Sequence, residues 1–180
     1  MTAARVGQTA APPAYRTLLV DPPWDILQVG GCRRGAVQHH PLLSVEAIAR
    51  LPVLSVAADR AHLWLWVTNA GLFAGQVVLE RWGFTYRSIL TWIKPFYGMG
   101  RYMRSQTQHL LLGTRGRAPV HVRGQGSWFY APVQGHSRKP EEQYAVIERC
   151  SPGPYLGLFA RRRRPGWHAW GDEVSCDVLL

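Results

Sequence analysis

Short apolar runs punctuated by Gly, Pro and charged residues recur along this chain, most of them too short for a helix and too continuous for a strand with one wet face. Residues 17–20, 62–67, 88–93, 108–112, 155–159 and 168–170 have this character and predict strands buried within a sheet. Helical spacing appears between them. Ser44 is an N-cap ahead of Val45-Glu46-Ala47, predicting a short helix to about Leu51, before Pro52. Asn69 or its neighbour opens a second helix through Leu72, Val77 and Leu79 to Trp82, with Gly83 as its stop. Pro140 in a first turn, followed by Glu141 and Glu142, opens a third that ends by Pro152-Gly153. Between residues 114 and 135 four glycines interrupt basic and aromatic residues, predicting an irregular or hairpin region. Residues 1–14, rich in Ala, Thr and Pro, read as a mobile leader, and 15–180 as one domain. Strands alternating with helices predict a Rossmann-like α/β sheet.

Composition narrows the class. A chain of 180 residues suffices for one domain with a proper core. Its formal net charge of +10 suits a polyanionic partner, and Lys94 and Lys139 are the only lysines among 21 basic residues. The three cysteines Cys32, Cys150 and Cys176 form no disulfide framework, which points to a reducing cytoplasm. No apolar run reaches a membrane span and no signal peptide is evident, so no membrane partner is expected. There is no G-x-G-x-x-G and no phosphate-binding P-loop, which disfavours a dehydrogenase or NTPase. Cys32, His39 and His40 lack a fourth ligand at convincing spacing, so no metal is expected. His62, His109, His121 and His168 fall in or beside apolar runs and read as structural. Residues 28–41 have loop composition and suit a lid.

Asp21-Pro22-Pro23-Trp24 carries the chemistry. Two consecutive prolines cannot extend the strand before them, so a carboxylate is delivered into a rigid turn. With no neighbouring donors to occupy them, the proline carbonyls and Asp21 would form a set of acceptors beside an indole. Such a set suits an aromatic amine. Accepting both N–H groups of an exocyclic amine favours the tetrahedral nitrogen on which charge develops during alkyl transfer, and Trp24 can stack on the ring. A strand-ending turn with a packed Trp is the plainer reading of these four residues.

The same tetrapeptide resembles the DPPW motif of the N6-adenine methyltransferases, in the family that contains the catalytic subunit of the eukaryotic messenger-RNA adenosine methyltransferase. Further blocks resemble the family in order: Leu63-Trp64-Leu65-Trp66-Val67-Thr68, Thr91-Trp92-Ile93-Lys94, Ser137-Arg138-Lys139-Pro140-Glu141-Glu142, Ile147 to Gly153, Leu158-Phe159-Ala160-Arg161, and Pro165-Gly166-Trp167 with Gly171-Asp172-Glu173. The resemblance implies a circularly permuted Rossmann-like fold, a mixed sheet flanked by helices, with S-adenosyl-L-methionine as cofactor. It also implies methyl transfer to adenine N6 of a polynucleotide, with the base flipped or single-stranded. The compact chain resembles bacterial or phage members, which tilts the substrate toward DNA over RNA; a homodimer is compatible with this picture.

By position, Asp21, Pro22, Pro23 and Trp24 carry the catalytic role. Asp21, Lys139, Phe159, Arg161, Asp172 and Glu173 carry cofactor binding. His40, Trp66, Arg101, Arg104 and Lys139 face the substrate, while Trp64 and Trp92 read as core. Arg33, Arg34, Arg101, Arg104 and Arg123, with Tyr102, Trp128, Phe129 and Tyr130, suit a single-strand platform with a phosphate funnel. Departures from the family are Gly157 and Gln108 where glutamates are common, His40 where Tyr is common, and Asp172 in place of Asn. They keep open a second reading, a nucleic-acid-binding partner subunit of this fold without turnover.

Overall fold

In the computed structural model, residues 14–26, 42–98, 102–135 and 138–180 are described. The leader, the lid loop with Cys32, Arg33, Arg34, His39 and His40, and Arg101 therefore lie outside the described residues, apart from Ala14. Ten elements follow in order: β1 (Tyr15–Val20), α1 (Val45–Ala49), β2 (Ala57–Val67), α2 (Leu72–Arg81), β3 (Thr85–Ile93), β4 (Thr107–Arg115), β5 (Trp128–Tyr130), α3 (Glu142–Cys150), β6 (Tyr155–Leu158) and β7 (Trp167–Trp170).

They build a mixed seven-stranded sheet in the order β5-β3-β4-β2-β1-β6-β7. β4 runs antiparallel to both its neighbours, while every other pairing is parallel. Six strands therefore end on the edge of the sheet where β4 begins. From β1 the chain goes to β2 on one side and later to β6 and β7 on the other, so that edge includes a topological switch point, where α/β sheets place their ligands.

Alternation along the strands divides the core between two faces. Leu63, Leu65 and Val67 pack with Ile48 of α1 and with Val78, Leu79 and Trp82 on the helical side of α2. Trp64 and Trp66 point the other way, with Leu110, Leu112 and Trp92 and with Val146 and Ile147 of α3. Continuous burial of residues 17–20 in β1 and 61–67 in β2 follows from being covered on both faces.

Local signals position the helices. The Ser44 hydroxyl accepts the Ala47 N–H at 3.1 Å, capping α1. Gly83, at φ 71°, ends α2 in a Schellman arrangement, with Gly83 N–H donating to the Glu80 carbonyl and Phe84 N–H to that of Leu79. Gly75 lets α2 approach the sheet, because a Cβ there would meet Val67 Cγ1 at 2.4 Å. Two expectations change. Pro140 lies just ahead of Glu141, the N-cap of α3, rather than inside the first turn. The region after residue 115 is irregular, one of its two expected forms, but also contributes β5, an edge strand parallel to β3.

His62 is fully buried within a closed network. Its Nε2 lies 2.8 Å from the Ala118 carbonyl, and its Nδ1 lies 2.7 Å from Ser151 Oγ, which also accepts the Trp64 Nε1–H at 2.9 Å. A carbonyl can only accept, so Nε2 carries the proton and Ser151 donates to Nδ1. Burial holds the imidazole below its ordinary value, with the charges of His121 and Arg16 adding to that effect against the Ala118 hydrogen bond.

Two predictions follow from this packing. Gly75→Ala should lower the unfolding free energy in urea by about 1–3 kcal/mol, overpacking against the stiff Val67 outweighing the roughly 1 kcal/mol gain in helix propensity. The neutral His62 makes the native state bind fewer protons than the unfolded chain between its lowered value and about 6.5. Stability should therefore fall as pH drops below about 6.5, and His62→Gln should flatten part of that fall; His109, also held low by burial, supplies another part.

Candidate active site

Asp21 follows β1 directly, and its N–H still reaches the Leu158 carbonyl of β6, at 3.4 Å. The prolines then turn the chain away. The acceptors of this turn are not idle, contrary to the sequence expectation: the Pro22 carbonyl takes the Trp24 N–H at 2.9 Å, and the Pro23 carbonyl takes the Leu43 N–H at 2.8 Å. Each retains a second lone pair. Trp24 is half-buried against the core formed with α1 and α2, and its Nε1–H donates to the Trp66 carbonyl at 2.8 Å. The indole thus bolts the turn to the end of β2.

A cavity of about 280 Å³ opens between the ends of β1 and β6 and the start of α3. Asp21, Lys139, Trp66, Phe159 and Arg161 contribute to its wall. A smaller one of about 40 Å³ is lined by Asp21, Pro23, Phe159, Ala160, Arg161, Asp172 and Glu173. Asp21, Phe159, Ala160 and Arg161 belong to both, so the two spaces adjoin. Every residue assigned to cofactor binding therefore stands in these walls.

Lys139 Nζ donates to both oxygens of Asp21 at 2.7 Å, with side chains only 13% and 28% exposed. The ammonium also sits 5.3 Å from the centroid of Trp66, whose ring meets Trp92 edge to face at 6.1 Å; Lys94 lies 4.7 Å from the Trp92 ring. Burial and then the charge of Lys139 lower the Lys94 ammonium from its ordinary value. Trp66 is buried like Trp64 and Trp92, and it alone of the three contributes to the cavity wall.

Phe159 ends β6 at φ 58°, a left-handed conformation that is strained for a bulky side chain and recurs at functional sites. Gly171 allows the following turn to close, since a Cβ there would meet the Ala160 carbonyl at 2.4 Å. At Gly157 the nearest contacts of a Cβ are ordinary, at 3.7 and 3.8 Å, so space does not dictate the missing side chain. Arg161 pairs with Glu173 at 3.7 Å, a half-exposed contact that adds little to stability.

Some expected substrate residues lie apart. Arg104 is exposed and outside both cavity walls; Arg123, Tyr102, Trp128 and Tyr130 are exposed as well. Conversely, sequence reasoning passed over Gln143, Tyr144, Arg138 and Arg162, all of which line the larger cavity. Gln143 is buried and its Oε1 accepts the Trp66 Nε1–H at 2.7 Å, which fixes the ring. Its position four residues beyond Lys139, on the core face of α3, was the available signal. Among the described residues no three His, Cys, Asp or Glu side chains gather as a metal ion would require.

A cleft at the switch point of an open α/β sheet, walled by an acidic turn and a strained strand end, defines a Rossmann-like domain. The MT-A70 family model matches residues 15–173, and the chain belongs to that family. Over 89% of its length it is 30% identical to "Putative N(6)-adenosine-methyltransferase MT-A70-like" of Medicago truncatula and 29% identical to "Type II methyltransferase M.MunI" of Mycoplasma sp. It is 28% identical over 92% of its length to "N(6)-adenosine-methyltransferase catalytic subunit METTL3" of Homo sapiens. It spans 26% of the Medicago relative and 29% of the human one, but 78% of the Mycoplasma one.

The Lys139–Asp21 pair is open to a double-mutant cycle. Lys139→Met should destabilise the fold by about 1–3 kcal/mol by leaving a partly buried carboxylate unpaired, and adding Asp21→Asn should restore most of it. Urea midpoints of the four proteins measure the coupling.

Proposed function

We propose that this chain transfers a methyl group from S-adenosyl-L-methionine to the exocyclic N6 of adenine in a polynucleotide. The observation that carries the reading is the placement of Asp21 in the walls of both adjoining cavities, where one carboxylate can face cofactor and acceptor together. The donor set fits the cofactor: Asp21, Asp172 and Glu173 can accept from its ammonium and ribose hydroxyls, and apolar atoms of Phe159 offer a surface for its adenine. When bound, the cofactor supplies an electrophilic methyl on a sulfonium.

The protein's part is positioning. N6 of adenine is a weak nucleophile because its lone pair is shared with the ring. Asp21, with a spare lone pair of Pro22 or Pro23, can accept its two N–H groups and favour the pyramidal nitrogen on which positive charge develops. Lys139 takes one lone-pair direction on each Asp21 oxygen; a carboxylate has about four, so an N6 amino group can donate to a remaining one without breaking the ion pair. Lys139 then keeps Asp21 aimed. The indole of Trp24 holds the turn to β2.

The surface charge of +10 supports a polyanionic substrate. The larger share spanned of the Mycoplasma type II methyltransferase, 78% against 29% of the human relative, favours DNA over RNA. Transfer of labelled methyl from the cofactor to adenine-containing single-stranded DNA, duplex DNA and RNA tests the reading. Activity is expected on at least one of these, greatest on DNA. Asp21→Ala should lower turnover by about 10²–10³, the effect of losing one positioned hydrogen-bonding group, with cofactor affinity falling far less. No transfer to any of the three would favour the partner-subunit reading, and full activity of Asp21→Ala would remove the mechanism.

A further inference from the structure

Three guanidiniums converge on one carboxylate at the mouth of the larger cavity. Arg162 pairs with Glu141 Oε1, Arg164 donates to Oε2 at 3.0 Å, and Arg138 approaches Oε1 at 3.9 Å. They come from two places in the chain, the residues leading into α3 and the loop between β6 and β7, so the crowding is a product of the fold. One negative charge does not balance three positive ones.

The three arginines are not equivalent. Arg164 is committed internally: it also reaches Glu148 Oε1 at 3.4 Å, and its guanidinium lies 4.2 Å from the Tyr144 ring. Arg138 stands beyond hydrogen-bond distance from Glu141 with its side chain 49% exposed, and the Arg162 side chain is 43% exposed. Only these two of the three line the cavity that also holds Asp21 and Lys139. Burial, then the charges of Arg138 and Arg164, lower the Arg162 guanidinium from its ordinary value, a sign of like charges held together. Planar forks from two backbone segments, aimed at one opening, match an oxyanion with several acceptor oxygens.

We propose that Arg138 and Arg162 form a phosphodiester clamp that grips the backbone beside the adenine whose amino group reaches Asp21. This rests on the polynucleotide reading above and adds to it a specific site. The clamp fixes the nucleotide by its phosphate and carries no base information, so it positions the target whatever its flanking sequence. Glu141 holds the two arginines in place while the cleft is empty and partly competes with the phosphate for them.

The test measures binding of a fluorescent adenine-containing single-stranded oligonucleotide to the full chain across a salt series, with cofactor affinity measured separately by calorimetry. Arg138→Gln and Arg162→Gln should each reduce the slope of log K against log salt by about 0.7, as for one lost phosphate contact on a single strand, with cofactor affinity kept. Glu141→Gln should tighten oligonucleotide binding by removing the competing carboxylate. An unchanged slope in the folded double variant overturns the clamp. So does a loss confined to cofactor affinity, which would assign the anion to the cofactor's carboxylate. Should the Gln variants fail to fold, Glu141→Gln decides: tighter binding supports the clamp, and unchanged or weaker binding overturns it. A wild-type chain that binds and methylates the oligonucleotide keeps the functional reading whatever the clamp's fate, whereas one that does neither removes that reading itself.

Discussion

Because Pro22 and Pro23 cannot extend the ladder of β1, Asp21 is released at the point where β2 and β6 also run out, and the cleft takes its position from that coincidence. Had β1 continued by two residues, its backbone would have filled the space between the neighbouring strand ends, and its carboxylate would have alternated onto one face of the sheet. The turn is secured from three directions: Asp21 N–H to Leu158, the Pro23 carbonyl to Leu43, and the Trp24 indole to the Trp66 carbonyl. A motif of four residues is thereby tied to β6, to the start of α1 and to β2. Its rigidity is a tertiary property as much as a property of proline.

The layer of Trp66 and Trp92 beneath the cleft connects packing with charge. Trp66 is oriented by Gln143, meets Trp92 edge to face, and faces the Lys139 ammonium. An aromatic face attracts a cation by about 0.5–1 kcal/mol at accessible sites, so Lys139 is held by two unlike partners, a carboxylate and an indole. That leaves room for one to yield while the other retains it.

Much of this site is local in the chain and therefore legible in it. The end of β1, the Ser44 cap, the Gly83 stop and the strand containing Trp66 announce themselves through short-range rules of proline, serine, glycine and alternation. The assignment of Lys139, Phe159, Arg161, Asp172 and Glu173 to one place came instead from family resemblance, since nothing in their spacing brings them together; the sheet order does. What escaped the sequence depends on distant partners. The carbonyls of Pro22 and Pro23 look free until Trp24 and Leu43 are placed against them, and Trp24 looks like a stacking surface until its indole finds Trp66. Arg138 and Arg162 read as ordinary surface charge, because only the packing of the β6–β7 loop on α3 shows that they share Glu141. The strand β5 was hidden by its three-residue length and its exposed aromatic residues, both normal for an edge strand.

The distribution of the two lysines has a chemical consequence. Lys94 and Lys139 are the only lysines in the chain, and both lie above the Trp66–Trp92 pair at the active edge. The lysine amines of this sequence are therefore gathered there, while its other strongly basic side chains are guanidiniums. Acylating reagents, which spare arginine, become local probes of this cleft. The rate at which Lys139 is acylated would report how often its side chain leaves Asp21, making the chain's own composition a built-in sensor of the site's opening.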